Sequence, residues 1–442
     1  MKAVTIVKLP ARFMKKKLLY WGKTLLFFVP FLCLVFLLKT KTGHTWDTSC
    51  WIRWATQIYH KGLSYAYRAD YNNYLFVYQY ILWIYTKLQG SLENVVNNIY
   101  QLKNFTILFD FATTLILFTV IREKNQDHFK SAFLSLFYFL NIAILYNSII
   151  WGQIDGIMTF FVALSFFCIY RKKLLGGLFF IFIAINTKFQ SIIFLPIILL
   201  LAIPLIKERN GWIKLLFSIM SIFVCTAIVY YPFVKAGDFQ LMWQKTLAST
   251  IGHSPYASAN AYNFWYLILK ENPNQVSDTT LFLGISYRLW GVGLFAIGSL
   301  IALFHFIKPT FKMLTSSAIF SFTLQKVIIS SALIPLLFFF FNTEMHDRFP
   351  YPMLIFLMFY AILYHRPIPY ILTSIAYLLN LDAVLKYFNG SYHTLVYMPE
   401  FVACIYLISI ILLFIELLSA SCPQFCKTIT LFFQCSRNFP YF

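Results

Sequence analysis

Charge is what this sequence has least of. Only 12% of its 442 residues are Asp, Glu, Lys or Arg, against roughly 25% in a soluble domain. Apolar residues make up 60%. So many apolar side chains cannot be hidden from water in one core, so lipid must solvate much of the chain. No polar stretch is long enough to form a separate soluble domain. The longest lie near 39–72 and 235–282. The chain therefore reads as a single membrane-embedded domain over 1–442. Its large loops are 39–102, with interfacial helices, and 235–282.

Several motifs are missing. There is no phosphate-binding Gly loop, no H-E-x-x-H and no G-x-S-x-G, which excludes the usual nucleotide, zinc-peptidase and serine-hydrolase signatures. The eight Cys show no metal-ligand spacing. Cys33, Cys168, Cys225 and Cys404 lie in apolar runs and read as small core residues, whereas Cys422 and Cys426 follow the last apolar run and are candidates for palmitoylation. No cleavage site follows the apolar stretch after Lys15-Lys16-Lys17, so that stretch reads as a first span that is retained. No solenoid-period repeat or low-complexity tract stands out. Acidic residues are also few, 16 against 36 basic, for a net charge of +20. No Arg-rich face or RNA-binding signature accompanies that charge, so no nucleic-acid partner is expected. In a membrane protein an excess of Lys and Arg marks cytoplasmic loops facing anionic lipid.

What is present is a series of apolar runs. A span needs about 20 apolar residues at a rise of about 1.5 Å each. Candidates fall near 18–38, 103–121, 130–150, 156–170, 174–187, 190–206, 212–232, 283–306, 325–342, 350–364, 367–381 and 399–418. This predicts an all-α, polytopic transmembrane helical bundle of about 11–13 spans. The segment 74–88 is apolar but short and rich in Tyr and Trp. It is expected to lie at the interface, with an amphipathic stretch at 47–62.

Basic residues orient the bundle. With 74–88 not spanning and the N-terminus inside, the short basic loops all fall on the cytoplasmic side. They are 1–17, Arg122/Lys124/Lys130, Arg171-Lys172-Lys173, Lys207/Arg209/Lys214, Lys308/Lys312, His365-Arg366 and the C-terminus with Lys427. The external first loop, with Lys39, Lys41, Arg53, Lys61 and Arg68, is the exception.

The distinctive polar residues then collect outside. They are Asp47, Asp70, Lys103 with Asp110, the string 151–155, Lys188 with Gln190, Asn260 with Asn263, and His346-Asp347-Arg348. Ionisable groups at membrane depth are costly and usually functional. Asp47 suits either a helix N-cap or a general base at the membrane surface. Lys103 and Asp110 share a helix face two turns apart, too far for contact, so Asp110 needs a partner elsewhere, as an ion pair or as a catalytic group. Trp151, Gln153 and Asp155 put an aromatic plate beside an amide and a carboxylate. That suits a sugar, though a belt Trp with a helix cap would look the same. Lys188 either snorkels or meets a lipid phosphate. Arg348 suits phosphate as a bidentate donor, and His346 can donate a hydrogen bond or a proton.

In these residues the chain resembles the GT-C superfamily of integral-membrane glycosyltransferases. It looks most like the bacterial proteins related to the second mannosyltransferase of GPI-anchor synthesis. The resemblance rests on Asp47 after the first span, Tyr146-Asn147-Ser148 leading to Trp151-Gly152-Gln153-Ile154-Asp155, Lys188-Phe189-Gln190, the string 258–265, and His346-Asp347-Arg348-Phe349. It runs from about 40 to 365. Tyr71-Asn72-Asn73-Tyr74 stands where the family usually has Tyr-Pro-Pro, and His346-Asp347-Arg348 where it has His-Glu-Arg.

The resemblance implies a polyprenyl-phosphate sugar donor, often mannose, and an inverting transfer on the non-cytoplasmic face to a lipid, glycan or protein acceptor. A bacterial inner membrane fits better than endoplasmic reticulum. Asp47 would be the base. His346, Arg348 and Lys188 would bind the donor phosphate. Trp151, Gln153, Asp155, Asn260, Asn263 and Asp70 would bind sugar or acceptor. No cofactor and no metal are expected. The competing expectation is a lipid-linked-sugar flippase or transporter without catalysis, which would place its polar groups near the midplane.

The orientation is testable. A cysteine at Gly237 is expected to react with an impermeant reagent added outside, and one at Lys172 is not. The reverse pattern would invert the topology.

Overall fold

The computed structural model describes residues 11–248, 252, 254–316, 320–390, 392 and 394–420. The side chains of 11–21 and 248 are outside that description, as are Cys422, Cys426 and Lys427. Long apolar runs dominate the sequence, so backbone groups must pair within each segment, which in lipid means helices.

The helices are α1 (Ala11–Leu38), α2 (Thr45–Lys61), α3 (Phe76–Gln89), α4 (Leu92–Asn97), α5 (Lys103–Asn125), α6 (His128–Phe139), α7 (Ile142–Leu145), α8 (Asp155–Tyr170) and α9 (Leu174–Thr187). They continue with α10 (Leu195–Lys207), α11 (Gly211–Lys235), α12 (Phe239–Ala248), α13 (Phe264–Ile268), α14 (Tyr287–Thr315), α15 (Leu324–Phe341), α16 (Met353–Tyr364), α17 (Ile368–Leu385) and α18 (Pro399–Ser419). Among the described residues the sole sheet is a hairpin of β1 (Leu281–Phe282) and β2 (Ile285–Ser286).

Among the described residues seven helices are long and apolar enough to cross a membrane, or eight if the bent pair around residue 140 is one span. Shorter apolar helices at Gly22–Leu38, Asp155–Tyr170, Leu174–Thr187 and Met353–Tyr364 meet the remaining expected segments. The protein is a multi-pass helical membrane protein. Helix α11 stands at the outside of the bundle, with Trp212, Phe217, Phe223 and Ile228 exposed. In water such an apolar face would be an aggregation liability; lipid is its natural solvent. The same reason corrects the cysteine expectation. Cys168 is buried and Cys225 half-buried, but Cys33 and Cys404 are exposed, because an apolar residue in a lipid-solvated bundle need not face the core.

Two expected spans are locally different. The run 130–150 bends by 49° between α6 and the helical stretch that follows it. Asn141 makes the bend. Its Oδ1 accepts from the N–H groups of Ala143 and Ile144, at 2.9 and 3.4 Å, while Nδ2 donates to Tyr370 and Ser374. The run at 283 becomes helical only from Tyr287. Gly284, with φ 78°, turns the β hairpin first, and Ser286 caps α14. The positive φ suits glycine.

Packing divides into three parts. The main core joins α5, α8–α10 and α14–α18. A second core seats α2, α3 and α4 against Tyr230 and Phe233 of α11. A third fits Phe28 and Val35 of α1 against Phe111, Phe118 and Phe139. In the first loop, Asn72 and Gln79 exchange amide hydrogen bonds of 2.9 and 2.8 Å, and Asn72 also donates to Ala66 O at 2.8 Å. Buried side-chain bonds thus shape this loop.

Two buried residues of α5 fix the end of the bundle that carries the site. Lys103 Nζ lies 3.1 Å from Thr40 O, 2.9 Å from Thr40 Oγ1, 2.5 Å from Thr42 O, 2.9 Å from Ile149 O and 2.8 Å from Ile150 O. It pins the strap after α1 to the turn before Trp151. Gly43 lets that strap pass, since a Cβ there would sit 2.7 Å from Trp151 O. Asp110 accepts from Ser148 Oγ at 2.5 Å and from the Tyr351 hydroxyl at 2.6 Å. The partner expected for Asp110 is therefore a pair of hydroxyls, and among the described residues it makes no ion pair.

Helix α8 packs against this point through Gly156, where an added Cβ would lie 2.1 Å from Asp110 Oδ1. Gly156→Ala is expected to part α5 from α8 and cost about 1–3 kcal/mol, read as a lower melting temperature. Unchanged melting would show that the two helices are free to separate.

Cysteines at Gly237 and Lys172 would meet left-handed backbone, with φ 75° and 57°. Exposed Gln275 and Lys124 carry the same orientation test without that strain.

Candidate functional site

The site forms where several helices end. Helix α2 begins just after the strap held by Lys103, and Asp47 falls in its first turn. His44 occupies the N-cap position and makes no side-chain capping bond. Asp47 is therefore not the cap; its carboxylate turns across to the segment before α8.

That segment is a π-helical turn, Tyr146–Trp151. It ends where Gly152, with φ 92°, and Gln153 both donate backbone N–H to Asn147 O, at 2.9 and 3.0 Å. The wide turn projects Trp151 and Gln153 to the same side. Trp151 Nε1 donates to Asp47 Oδ2 at 2.8 Å, and Gln153 Nε2 donates to the same oxygen at 2.6 Å. His44 Nδ1 lies 3.2 Å from it. The His44 ring stacks on Trp151, with centroids 5.2 Å apart. Every described contact of the carboxylate thus falls on Oδ2, and Oδ1 has no described partner. Burial alone would raise the Asp47 pKa. The His44 contact, the charge of Arg348 and the Trp151 bond outweigh burial and hold it well below the usual carboxylate range.

Arg348 comes from the loop between α15 and α16. Its guanidinium lies 5.9 Å from the Trp151 ring centroid. The one carboxylate within ion-pair range among the described residues is Asp347, at 3.9 Å. Its Nε is buried without a hydrogen-bond partner. Arg348 therefore brings a charge into reach of Asp47 while its donors remain unused. The backbone of His346 pairs with Ala259 and Asn260, and its ring packs on Phe349 at 5.3 Å.

Lys188 sits at the C-cap of α9 and is buried. It lies 2.6 Å from Asp155 Oδ1 in the first turn of α8, and 5.0 Å from the Phe349 ring centroid. It does not snorkel, because its charge is engaged by Asp155.

The structure therefore gathers Asp47, Trp151, Gln153, Asp155, Lys188 and Arg348 around one place. It leaves three expected residues elsewhere. Asp70 is exposed at the surface, with its backbone O accepting from Trp54 Nε1 at 2.9 Å. Asn263 is a buried N-cap of α13 that donates to Phe339 O at 3.1 Å. Asn260 adopts φ 67° and exchanges bonds with Asn274. Asn260 and Asn263 thus shape the external loop. Trp151 and Gln153, expected to recognise sugar, spend their donors on Asp47.

His44, Tyr74 and Tyr351 were not expected here. His44 stands three residues before Asp47 in the chain, a helical spacing that was open to inspection. Nothing in the local sequence marks Tyr351, which meets Asp110 across 241 positions. Tyr74 lies within electrostatic reach of Arg348, Asp47 and Asp155, and burial raises its pKa.

Several buried polar atoms at this place have no partner among the described residues. They include both side-chain atoms of Asn147, Gln153 Oε1, Asp155 Oδ2, Asp347 Oδ2 and Arg348 Nε. Each such group costs about 1–3 kcal/mol unless something binds it, and their clustering suits a polar ligand. Among the described residues no group of three or more His, Cys, Asp or Glu side chains is placed to hold a metal ion. Compared with known proteins, the chain matches no family model and no curated relative.

Asp347 gives a test of the site's electrostatics. Burial pushes its pKa up to about 7, opposed by Arg348 and aided by Asp47. In the unfolded chain it ionises near ~4. Between those values the folded state holds a proton that the unfolded state has lost, so Asp347 makes stability fall as pH rises from about 4 to 7. Asp347→Asn is expected to remove that component. Melting temperatures of the two proteins across the window would show it, and parallel curves would refute it.

Proposed function

We propose that this protein is a glycosyltransferase that moves a sugar, with mannose the first candidate, from a polyprenyl-phosphate donor to a lipid, glycan or protein acceptor. The observation that carries the reading is Asp47, with three groups on Oδ2, Oδ1 left open, and an arginine with unused donors nearby.

In this reading the acceptor hydroxyl donates its hydrogen bond to Oδ1. Its oxygen attacks the anomeric carbon and the proton passes to Asp47. The bond from that carbon to the phosphate oxygen breaks, and its electron pair stays on the phosphate. Attack from the face opposite the phosphate inverts the configuration. Arg348 stabilises the growing negative charge, with His346 in the same segment. The phosphate is a good leaving group, so no general acid is required. Lys188 contributes through Asp155, by holding the ends of α8 and α9 together.

The low pKa of Asp47 fits an ordered reaction. Arg348 is one of the groups that depress it. A bound phosphate would neutralise Arg348 and make Asp47 a stronger base. The base would then be strengthened only when the donor is in place.

The placement of the polar groups favours an enzyme over a flippase. Asp47, Trp151, Asp155, Lys188 and Arg348 all lie at helix ends or in the loops between them, whereas a transporter would carry its site on broken helices at the midplane. The basic loops support a non-cytoplasmic face for the site, and the resemblance supports a bacterial inner membrane over endoplasmic reticulum.

The test incubates purified protein with radiolabelled polyprenyl-phosphate-mannose and a membrane extract, and identifies the labelled product. Asp47→Asn is expected to lower transfer by about 100-fold or more without loss of folding. Arg348→Lys keeps the charge but loses the planar fork, and is expected to weaken inhibition by sugar-free polyprenyl phosphate. Near-normal transfer by the Asp47→Asn protein would sink the reading.

A further inference from the structure

A polar cavity lies beside the Arg348 segment. It has a volume of about 540 Å³ and is lined by Tyr262, Tyr266, Lys270, Glu271, Asn274 and Glu400, among others. Small-molecule sites run from roughly 300 to 1,000 Å³. Asn260 belongs to its wall and pairs through its backbone with His346, two residues before Arg348. Tyr262 lies within electrostatic reach of both Asp347 and Glu400. The cavity therefore adjoins the candidate site through the Asn260–His346 pairing.

Its frame is fixed. Asn380 Oδ1 accepts from Tyr262 N at 3.0 Å, and Asn380 Nδ2 donates to Asn260 O at 2.8 Å. Ala259 N donates to Met345 O at 3.0 Å. Other acidic residues of these loops are already clamped: Asp278 and Glu344 by Arg288, and Asp238 by Arg68. Asp382 is held by the hydroxyls of Tyr146, Tyr392 and Tyr397. Glu271, Glu400, Lys270 and the Tyr262 hydroxyl make no such bond to any described residue, so their hydrogen-bonding capacity is open.

We infer that this cavity is a subsite for a neutral glycan portion of the acceptor, which rests on the glycosyltransferase reading above. Two tyrosine rings, with centroids 5.3 Å apart, offer aromatic surface to the C–H faces of a sugar. Carboxylates and amides suit its hydroxyl edges. Two carboxylates against one ammonium disfavour an anionic ligand. A rigid frame limits the entropy lost on binding.

The test measures binding without donor or transfer, so its outcome is independent of whether Asp47 is a base. The full chain is placed in lipid nanodiscs free of sugar-headed detergent. Saturation-transfer NMR then reads contact with mannobiose, cellobiose and diacetylchitobiose. At least one is expected to bind, and the Tyr262→Ala/Glu400→Gln protein is expected to bind it about tenfold more weakly, the equivalent of one hydrogen bond. Glu400→Gln alone, at an exposed position, serves if the double variant does not fold, with a weakening in the same direction. Presenting the bound disaccharide on a short lipid anchor distinguishes the sources. Tighter binding assigns a lipid-borne acceptor and equal binding a soluble one, and either keeps the subsite. If none of the three binds the unaltered protein, or if the variants bind equally well, the subsite is refuted, while the Asp47→Asn transfer assay still decides the enzyme.

Discussion

The ammonium of Lys103 sits among five oxygens taken from two parts of the chain about 109 residues apart. Four are backbone carbonyls and one is the Thr40 hydroxyl. An ammonium has three protons, so these bonds are shared, and the charge satisfies carbonyls that the helices leave open. On one side the cage holds the strap that leads into α2. On the other it holds the turn that carries Trp151. It works with the Thr40 bonds to Ile149 O and with Ile154 and Ile157, which pack in the same cluster as α2, to bring Asp47 up to its two donors.

Lipid explains why the polar contacts are arranged as they are. The helices bury few charges, and each buried one has a specific answer. Lys188 is paired with Asp155, and Asp110 is held by two hydroxyls. Removing one partner of such a set leaves an uncompensated group, which is costly in a medium without water. Gly156 and Gly43 belong to the same arrangement, since each makes room for a contact that any side chain would block.

Around Asp47 the balance is different, because it is left incomplete. Oδ2 is fully engaged and Oδ1 is open. Arg348 has a distant carboxylate and an orphaned donor. Asn147, Gln153 and Asp155 add further unpaired atoms. Elsewhere Lys103, Asp110 and Asp382 are held by carbonyls and hydroxyls. Open atoms from five side chains gathered near one carboxylate suit a polar, partly anionic molecule.

Apolar run length and basic loops, both local properties, were enough to determine the all-α bundle and the segments that form it. The candidate residues Asp47, Trp151, Gln153, Asp155, Lys188 and Arg348 were legible too, because each interrupts or borders an apolar run. The bend at Asn141 and the late start of α14 were not. They depend on one side chain capping its own backbone and on one glycine turn, which hydropathy does not register. Nor could the sequence separate Asn260 and Asn263, which shape the loop, from the residues that meet at Asp47. Only the tertiary structure decided that Trp151 and Gln153 serve the carboxylate, that Lys188 is bound to Asp155, and that Arg348 keeps its donors free. Those pairings join residues 33 to 106 positions apart, so they follow from how the helices pack and from no property of the residues taken singly.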